Sequence, residues 1–142
     1  MLMLITDNPE GNEYLEEILP IDGLLIVSCF EEAEKHLLYE LPDSIIIDKM
    51  LIEKDIVKIN DLKRIKRLFD GIILIKVANE LAGIKLMKNG LISEYYISDE
   101  DKNKEKQRLK KAFKLATIRH DLNSDVIKCK NNLKTINSIN NS

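Results

Sequence analysis

Length, composition and charge restrict what this chain can be. Its 142 residues suffice for one domain with a buried core and are too few for two. With 44% hydrophobic and 32% charged residues it has the composition of a soluble folded protein, and no apolar run approaches the length of a membrane span. The apolar start, Met1 to Ile5, has no basic residue before it and is soon followed by Asp7, so it does not resemble a signal peptide. We therefore expect a cytoplasmic protein that does not bind membranes.

The net charge of −2 conceals two oppositely charged parts of the chain. Residues 1–100 carry 11 basic and 20 acidic side chains, whereas residues 101–142 carry 11 basic and 4 acidic ones. This shift predicts an acidic domain over 1–100 and a basic segment over 101–142. The basic side chains of residues 102–114 fall among apolar positions at helical spacing, with few aromatic residues. That pattern favours a solvated helix face and makes nucleic-acid binding the less favoured alternative.

Five short apolar segments predict buried strands, at residues 2–6, 24–28, 44–48, 72–77 and 94–98. Asn8-Pro9-Glu10 predicts a helix start after the first strand, and residues 49–57 predict a loop after the third. The segments between strands have helical spacing, with inward positions in chain order at Leu15, Ile18, Leu19, Ala33, Leu37, Leu41, Ile59, Leu62, Ile65, Phe69, Leu81, Ile84 and Met87. Strands that alternate with amphipathic helices predict a doubly wound α/β fold with a five-stranded parallel sheet. An extended C-terminal helix starting near residue 101 follows it.

Two carboxylates are the first candidates for functional residues. Asp48 closes the third predicted strand, and open α/β sheets bind ligands beyond the carboxyl ends of their strands. A central third strand would bring Asp48 close to the end of the first strand and so to Asp7. The alternative, in which Asp48 is only a turn or cap residue, is equally open at this point.

The segments around these acids resemble the receiver domain of two-component response regulators. Leu4-Ile5-Thr6-Asp7-Asn8 resembles the first strand of that family, and Pro42-Asp43-Ser44-Ile45-Ile46-Ile47-Asp48-Lys49-Met50 resembles the third. The resemblance covers about residues 1–100 and the start of the next helix, so the last helix of the receiver-like domain would begin near residue 101. It implies a flavodoxin-like fold in which Asp48 is the phosphoacceptor. It also implies that Asp7 and Asp48 bind magnesium, a hard cation that prefers oxygen ligands.

Several positions depart from the receiver pattern. Asn8 stands in place of the second acid, Val77 in place of the Thr or Ser that binds the phosphoryl group, and Asp99 near the position of a lysine. Lys49 and Lys76 are the candidates to compensate for the missing lysine, but both lie outside the place where the pattern has it. The departures imply a degenerate receiver, or pseudo-receiver, that acts through protein contacts.

Tyr95 and Tyr96 lie on the side that receivers use for partners. Their alternative role is packing on an edge strand, with one ring buried and the other half exposed.

The C-terminal segment has no Gly or Pro after Asp101, and its apolar residues recur at helical spacing: Leu109, Phe113, Ala116, Leu122, Val126, Cys129, Leu133 and Ile136. Asp125 and Asn132 interrupt a strict heptad, so we expect a short bundle seam and a homodimer. Residues 116–126 resemble the H-box of histidine kinases, although Asp125 stands where many such boxes have proline. This second resemblance implies that His120 is a candidate phosphohistidine; an ordinary surface histidine is the alternative.

Together these features predict a two-component signalling module with a protein partner in such a pathway. It would regulate through protein contacts and dimerisation. The N-terminal part of a histidine kinase is one such module. No glycine-rich nucleotide box is present in the sequence, so we expect no kinase activity from this chain alone. The alternatives are a phosphorylatable receiver that uses Asp48 with magnesium, and nucleic-acid binding through the basic helix.

Overall fold

The computed structural model describes the backbone of residues 1–51 and 56–140 and the side chains of residues 1–48 and 59–123. Strands and helices alternate along the described chain: β1 (Leu2–Thr6), α1 (Tyr14–Ile18), β2 (Leu24–Val27), α2 (Phe30–Leu37), β3 (Ser44–Leu51), α3 (Ile56–Leu68), β4 (Ile72–Val77), α4 (Glu80–Lys88), β5 (Glu94–Ile97) and α5 (Lys102–Asn140).

The strands form one parallel sheet in the order β2-β1-β3-β4-β5. The connections run outward in opposite directions from β1 and β3, so a crevice opens between the carboxyl ends of these two strands. The predicted doubly wound α/β fold is confirmed and has the flavodoxin-like strand order.

Alternating side chains divide the core into two layers. Odd-numbered residues of the central strands, such as Ile5, Ile47 and Ile75, pack against α2, α3 and α4. Even-numbered residues, such as Leu4 and Ile46, pack against α1 and α5. The parity of a strand residue therefore decides which helices it faces.

Strand β3 is longer than predicted. It continues to Leu51, with a register irregularity against β4 between Ile47 and Leu51. The predicted loop at 49–57 is thus wrong at both ends, and residues 52–55 lie outside the described part. Asp48 is not the last residue of β3, but it is the last that pairs with β1, opposite Thr6. It therefore still lies at the rim of the crevice.

The first two helices differ from their predicted bounds. Helix α1 starts at Tyr14 and not after Asn8, because local hydrogen bonds hold the preceding segment as a loop: Asn12 Nδ2 donates to the Asn8 carbonyl over 2.6 Å. Helix α2 ends at Leu37, and Leu41 is exposed. Pro42 keeps Leu41 out of a helix, since the residue before a proline is driven out of the helical region.

The inward face of α4 was predicted wrongly. Ala82, Gly83 and Leu86 are buried, whereas Leu81 is 56% exposed. The Tyr95 ring lies against Gly83 so closely that a Cβ atom there would overlap it. Small residues therefore face the sheet, and the predicted face carrying Leu81 and Ile84 is turned outward, with Met87 partly buried beside the core.

Helix α5 is 39 residues long, about 58 Å at 1.5 Å per residue. Its early apolar residues complete the second core layer, with Leu109, Ala112, Phe113 and Ala116 buried on the sheet. Within the described chain, no helix is both long enough and apolar enough to span a lipid bilayer.

Candidate functional site at Asp48

Four strand residues converge at the carboxyl edge of the sheet. Thr6, Asp48, Lys76 and Tyr96 come from β1, β3, β4 and β5 and are all even-numbered. By the alternation described above, all four point to the α1 and α5 side. The sheet thus assembles a polar cluster under the first turns of α5.

The Asp48 carboxylate is held by three partners. Lys76 Nζ forms an ion pair with Asp48 Oδ1, with only 16% and 23% of the two side chains exposed. Tyr96 donates its hydroxyl to Oδ1 over 3.4 Å, and Thr6 donates to Oδ2 over 3.2 Å. Asp48 is therefore more than a strand-ending cap residue, because its charge is balanced inside a built network.

The network extends to α5. Lys76 Nζ lies 3.7 Å from Glu105 Oε1, so one ammonium group links the carboxylates of β3 and α5. Lys102 approaches the other oxygen of Glu105 at 3.8 Å. The first turn of α5 is thereby tied electrostatically to the centre of the sheet.

A cavity of about 330 Å³ opens beside this network. Its lining includes both predicted acids, Asp7 and Asp48, which confirms that they lie at one rim. Tyr14 also lines the cavity, and Lys106 Nζ sits 4.3 Å from the centroid of its ring. The lining is mixed in charge, with three lysines and four acids: Lys76, Lys102, Lys106, Asp7, Glu10, Asp48 and Glu105.

Burial and the Asp48 charge raise the pKa of two tyrosines. Burial, followed by the nearby Asp48 and Glu105 carboxylates, raises the pKa of Tyr14 to about 12. Tyr96 is buried, and its desolvation together with Asp48 raises its pKa well above 10. Both hydroxyls thus remain protonated at neutral pH, and that of Tyr96 serves as a donor to Asp48.

A magnesium ion does not fit this donor set as it stands. Asp48 Oδ1 already contacts the Lys76 ammonium and the Tyr96 hydroxyl, so a divalent cation there would lie against a positive charge. Among the residues with described side chains, no group of three or more His, Cys, Asp or Glu could hold a metal. The magnesium site of Asp7 and Asp48 stays a prediction.

The structure explains why Lys76, which lies outside the receiver pattern, still belongs to the site. The receiver pattern aligned Val77 with the site, but Val77 is fully buried on the opposite face, among the residues that pack on α2, α3 and α4. Lys76 has the parity of the site and lies one residue beyond Ile75, which pairs with Ile47. Strand register combined with alternation would have placed Lys76 beside Asp48.

Asp99 does not add negative charge directly at Asp48. Its carboxylate forms an ion pair with Arg108 over 3.1 Å, and Arg108 also donates to the Ile97 carbonyl. The negative charge of Asp99, which stands near the position of the receiver lysine, is thus offset locally by Arg108. Lys49 has no described side chain, so its predicted role lies outside the described residues.

His120 lies at the amino-terminal ends of the strands, opposite the carboxyl ends that form the Asp48 site. It is exposed and lines a second cavity with Gly71 and Ser93, which lie at the amino-terminal ends of β4 and β5. Fifteen residues of α5 separate it from Glu105, about 22 Å along the helix axis. The two predicted phosphoacceptors, Asp48 and His120, are therefore too far apart for direct transfer within one chain.

The predicted apolar stripe of α5 divides into two faces. Residues 109–116 pack on the sheet, whereas Leu122 lies about 120° around the helix from Ala116, because each residue turns the helix by about 100°. Leu122 instead lines up with two other exposed residues, Leu115 and Ile118, at spacing i, i+3 and i+7. Leu115, Ile118 and Leu122 are called the α5 stripe below. Val126, Cys129, Leu133 and Ile136 have side chains outside the described part.

No protein-family model, curated protein or solved structure matches this chain. The resemblances to receivers and to the H-box therefore rest on the residues quoted for them. The flavodoxin-like fold alone does not imply an activity, since this architecture carries many unrelated ones.

Proposed function

We propose that this chain is a receiver-like regulatory module of a cytoplasmic two-component pathway. It works through protein contacts and forms a homodimer through α5. No catalysis by this chain is part of the proposal.

The α5 stripe is the observation that carries the proposal. Leu115, Ile118 and Leu122 are 38%, 46% and 58% exposed on a helix whose other face is already packed on the sheet. Apolar residues at i, i+3 and i+7 form the seam through which two helices associate. Cys129 and Ile136 continue the i+7 spacing in the sequence, whereas Asp125 and Asn132 stand at the i+3 positions between them, so the seam is short. A second copy of the chain presents the same stripe and so offers a matching seam.

The clamped state of Asp48 supports a non-catalytic role. Its carboxylate is neutralised by Lys76 and fixed by Thr6 and Tyr96, and Lys76 also holds Glu105 of α5. This internal network stabilises α5 on the sheet, as a constitutive docking module requires.

Light scattering across a concentration series tests the dimer. The wild-type chain should reach the mass of a dimer at high micromolar concentration, and Ile118→Glu should weaken association strongly. The substitution removes the apolar Ile118 side chain from both protomers, and burial of each such side chain contributes about 1.5–3 kcal/mol to the free energy of association. Leu38→Glu is the matched control, because Leu38 is 70% exposed and directly follows α2, away from the stripe. A wild-type monomer at high micromolar concentration, or equal effects of both substitutions, would contradict the proposal.

A second candidate function is phosphoryl acceptance at Asp48. Three lysines line the cavity beside its carboxylate, and they would attract an anionic phosphodonor. With acetyl phosphate, an Asp48 oxygen would bond to phosphorus while the phosphorus–oxygen bond to acetate breaks, leaving an acyl phosphate and free acetate.

Intact-mass measurement after incubation with acetyl phosphate, with and without magnesium, tests this candidate. The candidate is supported if one phosphoryl group is added to the wild-type chain and to the Asp22→Asn variant but not to the Asp48→Asn variant. Asp22 is an exposed acid outside the cavity. An unchanged mass under both conditions, or an added group that survives Asp48→Asn, would exclude it.

A further inference from the structure

The second cavity lies between the end of α3, the segments that lead into β4 and β5, and α5. It has a volume of about 460 Å³, within the range of small-molecule sites. Its apolar part is formed by Gly71 and by the buried residues Ile92 and Ala116. This cavity is independent of Asp48, which lies at the other edge of the sheet.

The polar lining of this cavity is mainly hydrogen-bond donors and cations. Lys66 comes from the last turn of α3, and Arg119, His120 and Asn123 come from consecutive turns of α5. Asp70 is the single acid among the lining residues of this described cavity, and it is exposed.

Arg119 is held in place by an acid outside the lining. Its NH1 atom donates to Glu94 Oε2 over 2.5 Å, and the Glu94 side chain is only 10% exposed. A guanidinium has five N–H donors in a rigid fork, so this ion pair fixes the group while other donors remain for a ligand.

Ser93 is oriented in the same way. Its Oγ accepts the Ile73 backbone N–H over 3.0 Å, which leaves the hydroxyl hydrogen for donation. Buried neighbours therefore preorganise two donors of the cavity before any ligand arrives.

We propose that this cavity binds a small organic oxyanion, a carboxylate or phosphate group carried on an apolar body. The oxyanion lies between Lys66, Arg119 and His120, where charge-assisted hydrogen bonds are the strongest available. The apolar body lies on Ile92 and Ala116. This inference does not depend on the proposed signalling function, since it uses a different edge of the sheet and a different face of α5 from the stripe.

Histidine ring NMR tests the site in the full chain, which contains only His36 and His120. Phenyl phosphate, benzoate and inorganic phosphate are titrated separately at constant ionic strength and pH. We expect phenyl phosphate or benzoate to shift the His120 ring signal saturably while the signal of His36, on α2, stays in place. Half-saturation by that organic probe should come at a concentration at least about tenfold below that of inorganic phosphate, because the apolar body adds buried area.

Two neighbouring substitutions provide the matched comparison. Lys66→Gln removes a cation from the cavity, whereas Arg67→Gln removes an exposed cation next to it that does not line the cavity. Lys66→Gln should weaken binding about tenfold, the effect of one charge-assisted hydrogen bond, and Arg67→Gln should leave it unchanged. Equal shifts of both histidines, equal effects of both substitutions, or inorganic phosphate binding as well as both organic probes would overturn the inference.

Discussion

At the scale of single residues, the Lys76–Asp48 ion pair is the main stabilising contact of the site. Both side chains are mostly buried, so removing one charge leaves the other with an uncompensated desolvation cost. We expect Lys76→Met to lower the free energy of unfolding by about 1–3 kcal/mol, measured by urea denaturation. Adding Asp48→Asn should recover part of this loss.

The control for this cycle is Lys88→Met, which removes an exposed lysine at the end of α4. It should change stability by less than about 0.5 kcal/mol. Strictly additive effects of Lys76→Met and Asp48→Asn would show that the two side chains do not interact.

The tyrosines of the site provide a pH-dependent prediction. The pKa of Tyr14 is raised to about 12, chiefly by burial and then by Asp48, and burial with Asp48 also raises the pKa of Tyr96. Asp48→Asn should therefore lower both pKa values without returning them to 10, as followed by NMR of ¹³Cζ-labelled tyrosine. Asp22→Asn should leave both unchanged, and identical titrations of wild type and Asp48→Asn would contradict the assigned cause.

The raised pKa of Tyr14 also makes the free energy of unfolding depend on pH in the alkaline range. Unfolded tyrosine ionises near pH 10, whereas folded Tyr14 retains its proton up to about pH 12. The stability contribution is thus complete below pH 10 and is lost as pH rises from 10 toward 12.

At this scale the sequence predicted part of the site and missed the rest. Asp7 and Asp48 follow apolar segments, so their place at one rim was predictable from strand order alone. Lys76 was named only as a compensating lysine at the wrong place, because the family pattern was given more weight than strand parity. Tyr14 and Glu105 depend on how two helices pack across the rim, which the sequence does not encode locally.

At the scale of secondary-structure elements, α4 shows why helical spacing can select the wrong face. Leu81 and Ile84 were predicted to face inward because their side chains are large and apolar. The Tyr95 ring leaves room only for Gly83 beneath the helix. The strand positions were easier to predict, since a fully buried strand is a continuous apolar run. Which face of a helix packs against an aromatic side chain depends on shape complementarity. That complementarity can be judged only from the three-dimensional arrangement.

Gly83→Ala tests this packing. Alanine normally stabilises a helix by about 1 kcal/mol over glycine, but here its Cβ would overlap the Tyr95 ring at the base, near the strand backbone. We expect a net loss of about 1–3 kcal/mol in urea denaturation, typical of overpacking. In a Tyr95→Ala background the same substitution should become neutral or stabilising. A stabilised Gly83→Ala single variant would show that α4 and β5 are not packed this closely.

At the scale of the whole molecule, α5 belongs both to the domain and to its proposed interface. The composition shift near Asp99 predicted a boundary between residues 1–100 and 101–142, whereas the receiver resemblance gave the domain a last helix starting near 101; residues 109–116 of that helix complete the second core layer. Charge distribution located the start of the helix correctly but did not reveal this packing. The sequence pattern predicted one apolar stripe where α5 has two apolar faces. The residues of the two faces follow one another along the chain, although the faces lie about 120° apart around the helix.

Two substitutions on α5 should therefore have very different effects on the fold. Phe113 is 8% exposed on the sheet, so Phe113→Ala should cost about 3–5 kcal/mol of unfolding free energy. Leu122 is 58% exposed, and Leu122→Ala should cost less than about 0.5 kcal/mol when measured at concentrations where light scattering gives a monomer. At concentrations that favour the dimer, Leu122→Ala should become destabilising, because association stabilises the folded state by mass action. Equal effects of the two substitutions in the monomer would mean that α5 does not pack on the sheet through residues 109–116.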